Sequence, residues 1–547
     1  MNSIQTTDYR ADWSAYALDD EGEKRFLSLD HEDLIKICDC IDTKTEGALR
    51  IFGCIPIHFD AESERLYVLK EGPHTRVCGE SGSKKSRTIV RGSLVAGAMA
   101  KHSFIVTDPK GELYADKKVR WQLEKNGYDI HVLDFRKFDK DGYNVLGYAM
   151  EMYKKGLVRE SDAYLERFDG SLVEANRSSS ADPFWNTQAA ELIASSSLIL
   201  RNSLAQLPDG EKKFHLGSVL QFIRQDKDSV QHIFSSLVRH SDTGMALDPI
   251  RQYQDIVGAS AERTYSSIVS SAKALLAPFS SSEALLKMLS IQTFDVRKLY
   301  RKPTAIFMVI PDESSAYDMI AGHLMDLFYQ ILIEEFSNVY QNKARPACPV
   351  DFICDEVASV RISDMASKIS AARSRDINFV LIYQSEAQMR KSYEKDFDTI
   401  CGNTRNYIFL GSTDYEILKR VSVETGSTTM TSDGSSAPLI TVDDLRRMEK
   451  TREYKDALLI TGNHLLCLRL PDYDVYPFLD SVSVKDVPGT LASKDLIVYT
   501  PEEVAADYRS GKIRLPGSEK SQKKRENKKV SQEVLDDVFD ILFSEED

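Results

Sequence analysis

Apolar positions fall into two patterns that take turns along the chain. Short, nearly unbroken apolar runs recur at 103–107, 130–135, 304–310, 350–354, 377–383, 407–410 and 457–470, as in strands buried on both faces of a sheet. Apolar residues return at helical spacing over 87–100, 113–126, 321–339 and 365–374. This alternation predicts an α/β fold, a doubly wound and mainly parallel sheet. From about 150 to 290 the strand signal disappears, and 189–202, 216–225, 230–239 and 261–277 read as helices. An all-α domain is therefore expected to interrupt the sheet. Ahead of it, 32–40 reads as helix, 48–59 as a pair of strands and 65–69 as an alternating strand. The expected division is a lead-in subdomain at 1–75, a nucleotide-binding domain in two parts at 76–150 and 291–485, the helical insertion at 151–290, and a looser tail at 486–547.

The tail has two features. Residues 512–529 carry eight Lys/Arg against two Glu, a run that reads first as a solvated linker. Val534, Leu535, Val538, Phe539, Leu542 and Phe543 then recur at helical spacing beside Asp536, Asp537 and Asp540. A short acidic amphipathic helix on a tether suits docking into a partner's groove.

Composition narrows the classes. The 547 residues are 42% hydrophobic and 28% charged, an ordinary soluble protein too long for one core. A formal charge of -14 excludes bulk attraction of nucleic acid, so any such contact needs a local patch or pore. The eight cysteines show no Cys-x-x-Cys spacing and fit free thiols in a reducing compartment. Cys38 and Cys40 are the nearest approach to a metal or redox pair. No uninterrupted run of about 20 apolar residues is present, which points to a cytoplasmic protein.

The candidate chemistry starts at Gly79-Glu-Ser-Gly-Ser-Lys-Lys-Ser86, between an apolar strand end (Val77-Cys78) and a helical run. Strand, glycine-bearing loop, Lys-Ser and helix is the order of a phosphate-binding loop. Its backbone N–H groups, with the helix N-terminus, wrap phosphate oxygens; the lysine reaches the β/γ oxygens and the serine ligates Mg²⁺. Gly79, Gly82, Ser83, Lys84, Lys85, Ser86 and Arg87 are the candidate nucleotide-binding residues, with Lys85 and Ser86 in the two named roles. A turn with two solvated lysines is the plain alternative. Position 84, where such loops carry glycine, is lysine; a β-carbon there is expected to strain the loop and weaken binding or turnover.

The complementary half is Val350-Asp-Phe-Ile-Cys-Asp355-Glu356, an apolar strand ending in two carboxylates. Asp355 is expected to join Ser86 at Mg²⁺, and Glu356 to deprotonate the attacking water. Gln384 closes the next strand as a candidate γ-phosphate sensor. Arg375 is a candidate finger reaching a neighbouring subunit's phosphate, with a surface or DNA contact as the alternative. Asp108 and Lys110 follow another strand, where ligands of open α/β sheets gather.

Several blocks together resemble the type IV coupling proteins, the TraG/TraD-type ATPases of conjugative DNA transfer. They are 79–87, Ser103-Phe-Ile-Val-Thr-Asp-Pro-Lys-Gly-Glu-Leu113, Asp182-Pro-Phe-Trp-Asn186, 270–279, 352–356, 372–375, 382–385 and 400–403, followed by the strand at 409–412. The resemblance spans roughly 70–480 and is most specific at Thr107–Leu113. It implies a RecA/FtsK-like motor with an inserted all-α domain, assembling as a hexameric ring. It also implies ATP and Mg²⁺ as cofactors, and delivery of DNA or a relaxase–DNA complex to a type IV secretion channel. The family's nucleotide-site residues fall on Lys85, Ser86, Asp355, Glu356 and Gln384. Family members commonly carry N-terminal membrane helices, which are not visible here, so recruitment to the inner face of the membrane by another component is expected. A DNA pump independent of secretion, and a degenerate ring subunit that only recruits substrate, remain as alternatives.

Overall fold

The computed structural model describes residues 16–18, 24–26, 37–43, 51, 53–70, 74–175, 183–225, 227–228, 253, 256, 261–341, 345–429, 436–462, 464–479 and 484–513. The chain divides into two compact units, Met1–Lys140 with Phe294–Gly489, and Asp141–Thr293 with Thr490–Asp547.

A nine-stranded sheet organises the first unit. Its strands are β1 (His74–Cys78), β2 (Ser103–Asp108), β3 (Asp129–Asp134), β4 (Thr304–Val309), β5 (Val350–Cys354), β6 (Ile377–Tyr383), β7 (Asn406–Phe409), β8 (Tyr454–Thr461) and β9 (His464–Pro471). They lie side by side in the order β9-β8-β7-β1-β6-β5-β2-β4-β3. All pairs from β7 to β3 are parallel, and β8 and β9 add an antiparallel edge. Every residue of β2, β4, β5 and β6 is buried, because helices cover both faces of such a sheet; hence the unbroken apolar runs.

Strand β1 lies between β7 and β6, both from far along the chain. The carboxyl ends of β1, β6, β5 and β2 therefore open next to one another at a topological switch point. Polar groups fasten the opposite ends: His102 Nδ1 lies 2.6 Å from Asp351 Oδ2, and Asn378 donates to Asp351 Oδ1 at 2.6 Å.

Some expected elements differ in detail. The run 457–470 is a hairpin rather than one strand. Gly462 reverses the chain at φ +57°; the sequence Gly462-Asn463 is itself a hairpin signal, passed over between two equally apolar arms. The helix expected at 113–126 breaks at Asp116, whose carboxylate caps α2 (Lys117–Lys125) by accepting the Lys118 and Val119 amides. The helix expected at 87–100 opens as a π-turn, Lys85–Val90, before α1 (Arg91–Met99).

Of the helix expected at 32–40, residues 32–36 lie outside the described residues, and Cys38–Asp42 is a strand. It pairs with Arg65–Leu69, which also pairs with Pro56–Asp60. Pairing with a strand whose Leu66 and Val68 are fully buried overrides local helical preference. Within 48–59, residues 48–50 and 52 are outside the description, and only the end, from Pro56, is strand.

In the second unit, the described residues of 141–293 form helices and no strand. Pro183–Leu204 packs against both Val158–Ala175 and Glu262–Leu276. The helix expected at 230–239, and Asp182 of the sequence block 182–186, lie outside the described residues. So do the basic run beyond Ile513 and the acidic amphipathic helix at 534–543. The loose reading of the tail is corrected at Pro501–Arg509, a helix closed by a Thr500/Glu503 capping box.

Candidate functional site

The loop after β1 is shaped by two left-handed residues, Gly82 at φ +75° and Lys84 at φ +66°. A β-carbon on Gly79 would come within 2.5 Å of Ser83 Oγ and 3.0 Å of Leu410 Cβ, so the loop packs closely at that glycine. The Lys84 carbonyl accepts the amides of Arg87 at 3.0 Å and Thr88 at 2.9 Å, starting the helix that ends the loop. Lys85 Nζ folds back across the loop and donates to the carbonyls of Gly79 (2.6 Å) and Glu80 (2.9 Å). Burial lowers the Lys85 pKa, while Asp355 opposes that.

The two distant halves meet. Ser86 Oγ donates to Asp355 Oδ2 at 3.2 Å across 269 residues of sequence. Asp355 stands at the end of β5, with its carbonyl accepting from Thr107 Oγ1 at 2.8 Å. Burial, and then the charge of Glu356, push the Asp355 pKa up to about 6. Such a carboxylate is short of positive charge, and a serine hydroxyl beside a desolvated aspartate is a donor set suited to Mg²⁺. Glu356 adopts φ +56°, and its Oε1 accepts from Gln384 Nε2 at 2.7 Å. These groups and the loop from Ser81 to Arg87 line one cleft of about 330 Å³.

The remaining sequence candidates are placed as follows. Asp108 is buried at the cleft wall, where its Oδ2 accepts the Leu113 and Tyr114 amides at 3.1 and 2.9 Å; Lys110 is exposed on the rim. Arg375 is not in this cleft. It precedes β6, at the end of the strand away from Gln384, and its guanidinium donates to the Ala371 carbonyl at 2.6 Å. Cys38 and Cys40 both have thiols held protonated by burial.

Sequence reasoning missed Asp472. It follows β9, and its side chain is fully buried between two loop residues. Lys84 Nζ donates to Asp472 Oδ2 at 2.8 Å and to the Arg452 carbonyl at 2.8 Å. Arg87 grips the same carboxylate with two bonds of 2.7 Å and also pairs with Asp474. Burial works to raise the Asp472 pKa, but hydrogen bonds from Arg87 and Lys84 hold it below the ordinary carboxylate value. An Asp-x-Asp after a strand is too common a pattern to announce a contact with a loop nearly 400 residues earlier. Also missed was a second pocket of about 370 Å³ flanking the loop, lined by Glu80, Ser83, Gly411 and Lys455. Burial pushes the Lys455 pKa down to about 8, and the buried Ser83 hydroxyl has no hydrogen-bond partner among the described residues.

A family model described as type IV secretory system conjugative DNA transfer matches residues 37–473. No curated protein matches the chain. Among solved structures, the bacterial conjugative coupling protein TrwB, in a trigonal form with sulphate, matches at 15% identity and TM-score 0.47, covering 76% of this chain and 87% of that one. TrwB with ADP and Mg²⁺ matches at 15% and 0.48, covering 73% and 86%. VirB4 of Thermoanaerobacter pseudethanolicus matches at 11% and 0.39, covering 79% and 98%.

Proposed function

The chain belongs to the type IV secretory system conjugative DNA transfer family, and we propose that it is the coupling ATPase of such a system. In this reading it hydrolyses ATP with Mg²⁺ to move DNA, or a relaxase–DNA complex, towards a secretion channel. It works as a homo-oligomeric ring, of six subunits in the family it resembles. Among the described residues no helix is long and apolar enough to cross a membrane, and the proposal has another component recruit the ring to the inner membrane face.

The observation that carries the reading is the meeting of Ser86 with Asp355 beside the Glu356–Gln384 pair. Lys85 and the loop amides would hold the β- and γ-phosphates. Ser86 and Asp355 would hold Mg²⁺, which when bound neutralises charge developing on the phosphoryl oxygens. Glu356 would take the proton of the attacking water, oriented by Gln384.

The test is ATP hydrolysis with and without DNA. DNA-stimulated turnover is expected, with Glu356→Gln losing about 10²- to 10⁴-fold in rate while still binding nucleotide. Nucleotide binding without turnover in the native chain would instead mean a subunit that only recruits substrate. Association with relaxase and channel proteins separates a coupling protein from a free-standing DNA pump.

A further inference from the structure

The reading of Lys84 as a simple defect of the loop meets a difficulty in its surroundings. The residue keeps a left-handed backbone, φ +66° and ψ +16°, which costs a side chain with a β-carbon about tenfold in population relative to glycine. Yet its carbonyl accepts the Arg87 and Thr88 amides of the following turn, so the helix start depends on that conformation. The Lys84 ammonium has two partners, Asp472 Oδ2 and the Arg452 carbonyl, both at 2.8 Å. Asp472 is wholly buried, and its other oxygen is taken by Arg87 two residues after Lys85. One carboxylate thus holds the residues on both sides of Lys85 and Ser86.

We propose that Asp472 is a positioning residue for the phosphate loop: by gripping the Lys84 ammonium and the Arg87 guanidinium it imposes the left-handed turn that glycine supplies unaided. Lys84 and Asp472 form a coupled pair that does the work of one glycine, and Lys84 acts through Asp472 rather than on phosphate. This rests on the loop being the nucleotide site. The coupling makes a definite demand on variants: losing the tie matters only while a β-carbon remains at position 84.

The test uses the full chain and titrates a fluorescent ADP analogue with Mg²⁺. Lys84→Gly removes strain and tie together and is expected to bind within about threefold of the native chain. Lys84→Met keeps the β-carbon without the tie and is expected to bind about tenfold more weakly. Asp472→Asn is expected to weaken binding likewise, and adding Lys84→Gly to it to recover most of the loss. Equal weakening in Lys84→Gly and Lys84→Met would overturn the proposal by making the ammonium a direct phosphate ligand; native binding by Lys84→Met would overturn it by making the tie idle. Urea unfolding without nucleotide separates this from failure of the functional reading. If Lys84→Met unfolds at a lower midpoint than the native chain, with which it shares the β-carbon, although the native chain binds no nucleotide, the tie stands and the nucleotide reading falls. Equal midpoints overturn the tie.

Discussion

A methyl group added at Gly322 would sit 2.1 Å from the Arg361 carbonyl oxygen. Gly322 lies in α3 (Asp318–Glu335), where exchange of glycine for alanine ordinarily stabilises a helix by about 1 kcal/mol. Here the neighbour is backbone and cannot rotate away, so the overlap outweighs the propensity. Gly322→Ala is expected to destabilise the first unit by about 2 kcal/mol or more, read as a fall in the urea midpoint; a rise would mean that the helix backs off at little cost. Nothing in the sequence singles out Gly322, because the reason for it lies in a segment 39 residues later. Lys84 is the opposite case. Its departure from the loop pattern is plain in the sequence, but its effect depends on Asp472, which sequence spacing does not connect to it. The candidate groups at Lys85, Ser86, Asp355, Glu356 and Gln384 could be picked out in the sequence because the proposed phosphate and Mg²⁺ site would demand particular groups at strand ends; the residues that hold those groups in place answer only to the packing.

At the scale of elements, buried strands were the most legible feature, since a parallel sheet covered on both faces leaves no room for polar interruptions. The β8–β9 hairpin was misread because its arms are equally apolar and the Gly462-Asn463 turn signal between them was not weighed. The order of strands was not legible at all, and it decides the site: β6 separates β1 from β5, and so places Gln384 between the loop and Glu356. His74 is a point where this order is exposed to pH. It faces Phe379 across the β1–β6 pair, and its Nδ1 accepts the Phe379 amide at 3.1 Å. Burial lowers its pKa to about 4. Above the ordinary value of about 6.5 the ring is neutral in folded and unfolded chains alike. Between there and about 4 the unfolded chain takes up a proton that the folded chain refuses, so stability is lost as pH falls through this window. His74→Asn retains a side-chain acceptor without titrating. Relative to it, the native chain is expected to lose about 1 kcal/mol between pH 7 and pH 5.5, measured by urea unfolding at both. Parallel pH dependence in the two proteins would remove His74 from the account.

At the scale of the whole molecule, the position of Arg375 bears on how catalysis would be divided between subunits of the proposed ring. The seven residues of β6 put about 20 Å between Arg375 at one end and Gln384 at the other, further than an arginine side chain spans. Within one chain Arg375 therefore cannot touch phosphates in the site proposed at the Lys85 loop. If it stabilises transition-state charge, it does so in a neighbour's cleft, across a head-to-tail contact of the kind that closes a ring. The proposed ring then makes a prediction that a single chain could not. Arg375→Ala and Glu356→Gln subunits should each be nearly inactive alone. Mixed before assembly, they should recover up to about a quarter of native turnover, because an Arg375→Ala subunit keeps its own Glu356 and takes its arginine from a Glu356→Gln neighbour. ATP hydrolysis by the mixture, against each variant alone, reads this directly. Recovery would place the arginine in trans and require an assembly with shared sites. No recovery, with Arg375→Ala close to native on its own, would return Arg375 to the surface or DNA contact that its Arg-x-Arg setting also allows, and would leave Lys85, Ser86, Asp355, Glu356 and Gln384 as a site completed within one chain.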